Sequence, residues 1–347
     1  MGYGKYLVFR ILNALLVLVI ATLIMSALFV KVAREDNKSK LFEELRSWDQ
    51  TEGKKIKQSL GEEEYWRQRA IEEQNLRKKY NLDKSFWGQV IEKTKRSLMW
   101  DFGQSTVSIG GTNNVRDIVF MYLPRSIVLF TTATIITMIL GIYLGVRAAN
   151  MPGSVFDRSL SIFALLTYSL PTWWTGMMFI LIFAYKLGWF PLQSNFLPTD
   201  TILDKIHKLA LPVLTFVFVA FGGWAWTTRN IMIGTLQEDF IMAARAKGLP
   251  ERKVIYGHAL RAAAPPIVTM VIFSLLGSLG GAIISEQVFS YPGMGMLYWM
   301  ALNQGETNIV IGLTYFSVVL YLSGVVLADM IYGFLDPRVK VGASAKM

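Results

Sequence analysis

The chain has 347 residues, 53% of them hydrophobic and none of them cysteine, and its mean hydropathy is +0.38. One water-soluble core of this size cannot hide so much apolar surface, so the surplus must face lipid. A formal charge of +10 does not mark a nucleic-acid binder, because no Lys/Arg cluster is interleaved with aromatics on a polar domain large enough to hold a duplex; the basic excess belongs at a membrane surface. Without cysteine there are no disulfides, thiolate metal sites or cysteine nucleophiles, and two histidines, His207 and His258, cannot build a multi-histidine metal centre.

A helix crossing about 30 Å of hydrocarbon needs about 20 apolar residues. Six runs reach that length: Ile11 to Val30, Ile127 to Val146, Ile162 to Tyr185, Leu209 to Trp226, Ile267 to Ile284 and Ile309 to Leu335. The predicted class is an all-α membrane protein with six transmembrane helices. The first run is too long for a signal-peptide core and lacks a clean small-residue cleavage site, so it reads as an uncleaved helix. Four segments are expected: an N-terminal transmembrane helix at 1–33, a charge-rich insert at 34–120, a five-helix core at 121–337 with an inner loop at 229–262, and a tail at 338–347.

Lys and Arg near span ends stay on the cytoplasmic side. With the N-terminus inside, the inner segments hold Lys5, Arg10, Arg147, Arg158, the basic group from Arg229 to Arg261, and then Arg338 and Lys340, whereas the short outer loops hold Lys186, Lys205 and Lys208. Both termini of a multi-pass cell-membrane protein are therefore expected in the cytoplasm. The insert is expected outside, since long segments cross irrespective of their charge. Within it, Leu41, Leu45 and Trp48 form one helical stripe, and Glu63/Arg67 and Glu73/Arg77 have the i,i+4 spacing of ion pairs. It either folds over the mouth of a channel or serves as a solvated charged spacer.

Gly141 and Gly145 sit four apart in the second run, and Ser274, Gly277, Ser278, Gly281 and Ser285 lie close to one face of the fifth. Such faces either let helices approach closely or leave room for a solute. From polarity and position, Ser278, Gly281 and Ser285, with Trp173 of the third run, are the candidate lining of a translocation pathway. Asp329 is the one ionisable residue clearly inside a run, near its cytoplasmic end, where Arg338 or interfacial water would satisfy it. An ion-coupled secondary transporter would need mid-membrane charges or broken helices in repeated halves. A membrane-embedded enzyme would need clustered ligands or nucleophiles. No G-x-x-x-x-G-K-S/T phosphate loop occurs, so this chain does not bind ATP by that means, and the energy for transport comes from elsewhere.

The inner loop between the fourth and fifth runs carries the strongest signal. Thr235 and Glu238 have capping-box spacing, Gly248 suits the left-handed residue that ends a helix, and Pro250 suits the first turn of the next. That second helix is expected to halt before Pro265-Pro266. A short helix, a tight turn and a second helix thus carry Phe240, Ile241, Ala243 and Ala244 among basic residues. The unit either docks into a partner's groove or rests on the inner leaflet.

The stretch Ala243-Ala244-Arg-Ala-Lys-Gly248-Leu, followed by His258-Ala-Leu-Arg261 and Pro266-Ile-Val, resembles the EAA loop of ABC importer permeases of the peptide and nickel group. The resemblance covers nearly the whole chain, through Tyr6 to Leu18, Tyr80-Asn-Leu-Asp83, Asp101-Phe-Gly103-Gln-Ser105, Leu123-Pro124-Arg125-Ser126, Ser169-Leu-Pro171-Thr-Trp-Trp, Leu187-Gly-Trp-Phe-Pro191, Val288-Phe-Ser-Tyr-Pro292-Gly-Met-Gly295 and Leu335-Asp-Pro-Arg338. It implies the type I importer fold, with a large extracytoplasmic insert after the first helix. It also implies a coupling helix that docks on an ATPase, here Glu238, Asp239, Phe240, Ala243, Ala244, Arg245, Lys247, Gly248 and Arg252. The family's glutamate falls at Met242, so an ion pair from that position to the ATPase is absent, and the insert is longer than such permeases usually carry. By resemblance the partners are a second, homologous permease, two cytosolic ATPase subunits that hold ATP and Mg, and an external substrate-binding protein, with no cofactor, metal or nucleic acid on this chain. The implied cargo is di- or oligopeptide, with oligosaccharide or nickel chelate as alternatives.

Overall fold

The computed structural model describes residues 3–335. The expected tail at 338–347, with Arg338 and Lys340, lies outside the described residues. The chain divides into two compact units, one made of residues 15–116 and 305–315, the other of residues 1–14, 117–304 and 316–347.

The first unit contains most of α1 (Tyr3–Trp48), which runs without a break past residue 33, through a wide turn at Asp49–Gly53, into α2 (Lys54–Leu60). Gly61, at φ +92°, reverses the chain into α3 (Glu62–Lys79). Leu41 and Leu45 of α1 are buried with Leu76 and Leu82, so the Leu41/Leu45 stripe is the face that packs. Asp49 accepts from the Tyr65 hydroxyl at 2.9 Å and from Arg69 Nε at 3.0 Å, which ties the far end of the hairpin. Arg77 pairs with Glu73 at 2.7 Å as the spacing predicts, but Arg67 reaches Glu64, three residues back at 3.6 Å, instead of Glu63. Residues three and four apart both neighbour it on a helix, and these exposed pairs contribute little to stability. Then come α4 (Phe86–Leu98), capped by the Ser85 hydroxyl on the Gly88 N–H, and an antiparallel hairpin of β1 (Gln104–Ile109) and β2 (Thr112–Asn114).

The second unit is a helical assembly. It contains most of α5 (Val115–Ser126), which passes through a wide turn at Ile127–Thr131 into α6 (Thr132–Asn150), then α7 (Val155–Tyr168), α8 (Thr172–Phe179) with a wide-turn extension at Ile180–Lys186, and α9 (Ile202–Leu236). There follow α10 (Asp239–Ala246), α11 (Glu251–Lys253), a wide turn at Val254–Ala259, α12 (Leu260–Gly277), α13 (Ile283–Val288), α14 (Met294–Asn303) and the greater part of α15 (Thr307–Leu335). Five helical stretches among the described residues are long and apolar enough to cross a membrane, or six if one bent pair counts as a single span. That pair corrects the third expected span. Instead of one helix from Ile162 to Tyr185, α7 and α8 meet at 98°. Pro171 lacks an N–H to continue α7 and stands at the N-cap of α8.

Close backbone approach organises this unit. A Cβ on Gly141 would lie 2.4 Å from Trp224 Cβ, and one on Gly145 would lie 2.4 Å from the Ala225 carbonyl oxygen and 2.7 Å from Thr228 Cβ. The two glycines therefore serve packing of α6 on α9, which is one of the two readings the sequence leaves open. At the start of α9, Thr201 and Asp204 form a reciprocal capping box. Buried Asp157, in the first turn of α7, accepts from Arg229 Nη2 of α9 at 2.7 Å and from the Gly153 N–H at 2.9 Å. Asp329 is satisfied by Arg10, with Arg10 Nη2 to Asp329 Oδ1 at 2.8 Å. The first helix returns to the last one because a carboxylate at this depth needs a cation within reach.

Gly145→Ala should lower the unfolding midpoint of the detergent-solubilised protein by several degrees, corresponding to about 1–3 kcal/mol of overpacking. Gly234→Ala, where an added Cβ meets nothing within 4 Å, should leave the midpoint unchanged or raise it. Equal midpoints for the two variants would contradict the packing account.

Candidate functional site

Two features carry functional weight: the exposed helix α10 with its seat, and the region around Ser278 to which α12 leads. Only Gln237 and Glu238 separate α9 from α10. The expected capping box is not formed. Thr235 still lies inside α9, where its hydroxyl donates to the Ile231 carbonyl at 3.1 Å, and Glu238 stands at the N-cap without a side-chain cap. The stop is as the sequence predicts. Gly248 has φ +75°, its N–H donates to the Arg245 carbonyl at 2.9 Å, and Pro250 precedes α11. Arg245 Nη2 meets Glu251 Oε1 at 2.7 Å, bracing the turn from outside.

The second helix does not halt before Pro265-Pro266. From Glu251 the chain stays helical to Gly280, with both prolines inside α12. Two ladder bonds are forgone, and a membrane helix tolerates this when neighbouring groups satisfy the freed carbonyls. The helix that begins at Glu251 and the fifth apolar run are therefore one continuous element.

One side of α10 is buried within this chain. Ile241 is 0% exposed and Ala244 7%, packed with Val146 and Ala149 at the end of α6, Met232 of α9, and Val254 and Ile255 of the wide turn. The opposite side faces outward. Phe240 is 47% and Met242 53% exposed, and Ala243, Arg245, Lys247, Gly248 and Arg252 are exposed with them, as are Glu238 and Asp239. Of the nine candidate coupling residues, eight are accessible to a partner, and Ala244 holds the helix in its seat.

At the other end of α12, Ser278 borders a cavity of about 280 Å³ together with Ser274, Gly277, Thr134, Thr137 and Trp224. Its hydroxyl lies 3.0 Å from Thr131 Oγ1 and donates to the Leu275 carbonyl at 2.6 Å. The other pathway candidates lie elsewhere. Trp173 is 39% exposed on α8, Ser285 is buried in α13, and Gly281 makes the turn from α12 into α13, at φ +73°. The fifth run thus ends at Gly280 rather than Ile284, because Gly281 adopts a backbone conformation that breaks the helix.

That turn is organised by Glu286, which the sequence reading missed. Its side chain is fully buried and accepts from Ser126 Oγ at 3.0 Å and the Met296 N–H at 2.8 Å, while Ser126 Oγ accepts from the Met294 N–H at 2.7 Å. A Cβ on Gly293 would stand 2.6 Å from Glu286 Oε2, so only glycine leaves the carboxyl group its place. Buried Tyr291 adds a bond from its hydroxyl to the Arg125 carbonyl at 2.6 Å. The available signal was a carboxylate in a segment whose only acidic residues between Arg261 and Asp329 are Glu286 and Glu306, flanked by Gly280-Gly281 and Gly293-Met-Gly295.

One helical element thus runs from the seat of exposed α10 to a cavity among the apolar helices. Residues 137–341 match the family described as binding-protein-dependent transport system inner membrane component. The chain belongs to that family. It is 31% identical to the oligopeptide transport system permease protein AppB of Bacillus subtilis over 76% of this chain and 83% of that protein. It is 32% identical to the dipeptide transport system permease protein DppB of the same organism, over 78% and 84%. A putative peptide transport system permease protein of Brucella abortus is 36% identical over 63% of this chain and 69% of its own length. Among solved structures, a chain of the MetNI methionine ABC transporter in inward-facing conformations superimposes with a TM-score of 0.51 at 16% identity, over 63% of this chain and 96% of that one. The fold is that of a type I ABC importer permease, multi-pass and helical apart from the β1–β2 hairpin.

The seat of α10 fixes how firmly this helix is held against its neighbours. Ala244→Asp places a carboxylate in the apolar bed and should loosen α10, seen as at least tenfold faster tryptic cleavage at Arg245 and Lys247. Ala243→Asp, on the outward face, should cleave at the parent rate. Identical rates for both variants would mean that α10 is not seated as described.

Proposed function

We propose that this chain is the permease subunit through which an ABC importer takes up short peptides delivered by an external binding protein, and that α10 is where separate ATPase subunits drive it. The observation that carries the reading is the two-sidedness of α10. Ile241 and Ala244 are committed to the spans, while Phe240, Met242 and Ala243 present an apolar face that is exposed among the described residues. A helix resting on the inner leaflet would also expose apolar residues. Here, however, Glu238, Asp239, Arg245 and Lys247 surround that face, the mixed polar rim of a docking patch. ATP and Mg belong to the partners in this reading, since the chain has no phosphate loop. Two ATPase subunits pair with two permeases, the second a homologue of this one.

Both termini are cytoplasmic and residues 34–120 are extracytoplasmic, an orientation supported by the Lys/Arg bias of the short loops. Residues 1–33 then form the first span, 121–337 the core with coupling loop 229–262, and 338–347 the inner tail. ATP-driven closure of the ATPase pair carries α10 with it, and α12 passes the displacement to the turn at Ser278–Gly281. The permease pair is thereby biased toward its outward-facing state. Peptide is the cargo because the similar proteins named above are peptide permeases.

Cells lacking this chain should lose at least tenfold of their uptake of radiolabelled Ala-Ala-Ala, and uptake should return with the parent chain. It should stay absent with Phe240→Asp, inserted at equal level and still bound by the external protein. Loss of maltotriose uptake with peptide uptake intact would overturn the cargo. Full uptake by Phe240→Asp would overturn the docking face.

A further inference from the structure

The unit formed by residues 15–116 and 305–315 contains a cavity of about 380 Å³ walled by α1, α4 and the turn leading into α15. Most of its charges are already neutralised in place. Lys40 pairs with Asp36 at 2.7 Å, Lys84 with Glu92 at 2.7 Å and Arg96 with Asp101 at 2.9 Å. Two cations of the lining are not. Among the described residues, Arg34 and Lys93 have no carboxylate within salt-bridge distance. Arg34 Nη1 donates to the Lys84 carbonyl at 3.2 Å, and Lys93 Nζ to Asn308 Oδ1 at 2.8 Å. Asn308 is itself held by its Nδ2 donating to the Gln104 carbonyl at 2.8 Å, so its oxygen is fixed toward the lysine.

A half-buried ammonium whose one partner is a neutral amide is short of a counter-charge. Burial, helped by neighbouring Arg96 and only partly offset by Asp101, brings the Lys93 ammonium down to about 8. A cavity of this size holds a small organic molecule, and its floor at Phe29, Val30 and Ile311 is apolar. We propose that this cavity is a binding site for a small molecule bearing a free carboxylate, of the size of a short peptide, with Lys93 and Arg34 as its counter-charges and the Phe29/Val30/Ile311 floor against its apolar part. The choice of peptide rests on the function proposed above; the site itself does not. Sited on the unit assigned to the outer face, it would hold cargo separately from the external binding protein.

The charged and titratable groups that share the lining with Lys93 are Arg96 and Glu92 of its own helix, Arg34, Asp36 and Lys40 of α1, Tyr80, Lys84, and Glu306 before α15, with Asp101 also acting on it. With the Lys93 ammonium brought down to about 8, affinity should hold below pH 8 and fall as pH rises above it, where the free ammonium is lost.

The test is calorimetric titration of the full chain in detergent with Ala-Ala-Ala, its C-terminal amide and inorganic phosphate. Tripeptide should bind at pH 7, the amide at least tenfold more weakly, and the tripeptide at least tenfold more weakly to Lys93→Met or at pH 9.5. Lys93→Met keeps side-chain volume, and an unchanged unfolding midpoint shows that it is folded; Arg34→Gln should weaken binding in the same sense. Equal binding of acid and amide, phosphate binding as tightly as tripeptide, or undiminished binding by both variants would overturn the site. Because no ATPase or uptake enters the titration, a negative result here with peptide uptake intact refutes the site alone.

Discussion

Ile241 and Ala244 press one side of an eight-residue helix onto the ends of α6 and α9 and onto the wide turn that begins the fifth span. A fully buried isoleucine side chain is worth about 1.5–3 kcal/mol, and isolated helices this short are not stable in water. α10 therefore exists as a helix because it is seated. Three constraints converge on the seat. The two-residue junction after α9 leaves little slack, left-handed Gly248 turns the chain back, and the Arg245–Glu251 pair braces the turn. The outward face of α10 is in consequence held in a fixed orientation to the spans.

What α10 bears upon is as important as the seat. The chain from Glu251 remains helical through two prolines to Gly280, and at Gly281 it breaks into a turn gripped by Glu286, Ser126 and the N–H groups of Met294 and Met296. One end of this element sits under the lever, and the other carries Ser278 at the cavity. Small displacements at a lever reach a distant site only through parts that do not yield in between. The wide turn at Val254–Ala259 is packed through Val254, Ile255 and Ala259, which keeps that part of the path stiff.

The sequence discloses what depends on composition and spacing. Long apolar runs placed the spans, Gly248 and Pro250 marked the turn, and Gly141 and Gly145 marked an intimate helix contact, although whether for packing or passage needed the position of Trp224 and Ala225. Hidden were features set by neighbours remote in sequence. Glu286 meets Ser126 across 160 residues, and Asp329 meets Arg10 across 319. Thr235 looked like a helix start because spacing alone cannot tell the last turn of one helix from the cap of the next. Pro171 broke a span whereas Pro265 and Pro266 did not, because the outcome depends on how the surroundings satisfy the freed carbonyls. Ala244 reads as a docking residue in the linear motif, and only the folded chain separates the side of α10 that is held from the side that is offered.

The central claim is that α10 and the end of α6 move as one body. The chain has no native cysteine, so spin labels at Ala243→Cys and Asn150→Cys, both exposed positions, can be placed without background and their separation measured by pulsed electron paramagnetic resonance in the assembled importer with and without ATP. The account predicts a single narrow distance that does not change when nucleotide binds. A distance that shifts or broadens on ATP binding would show that the lever slips on the spans, and would contradict it.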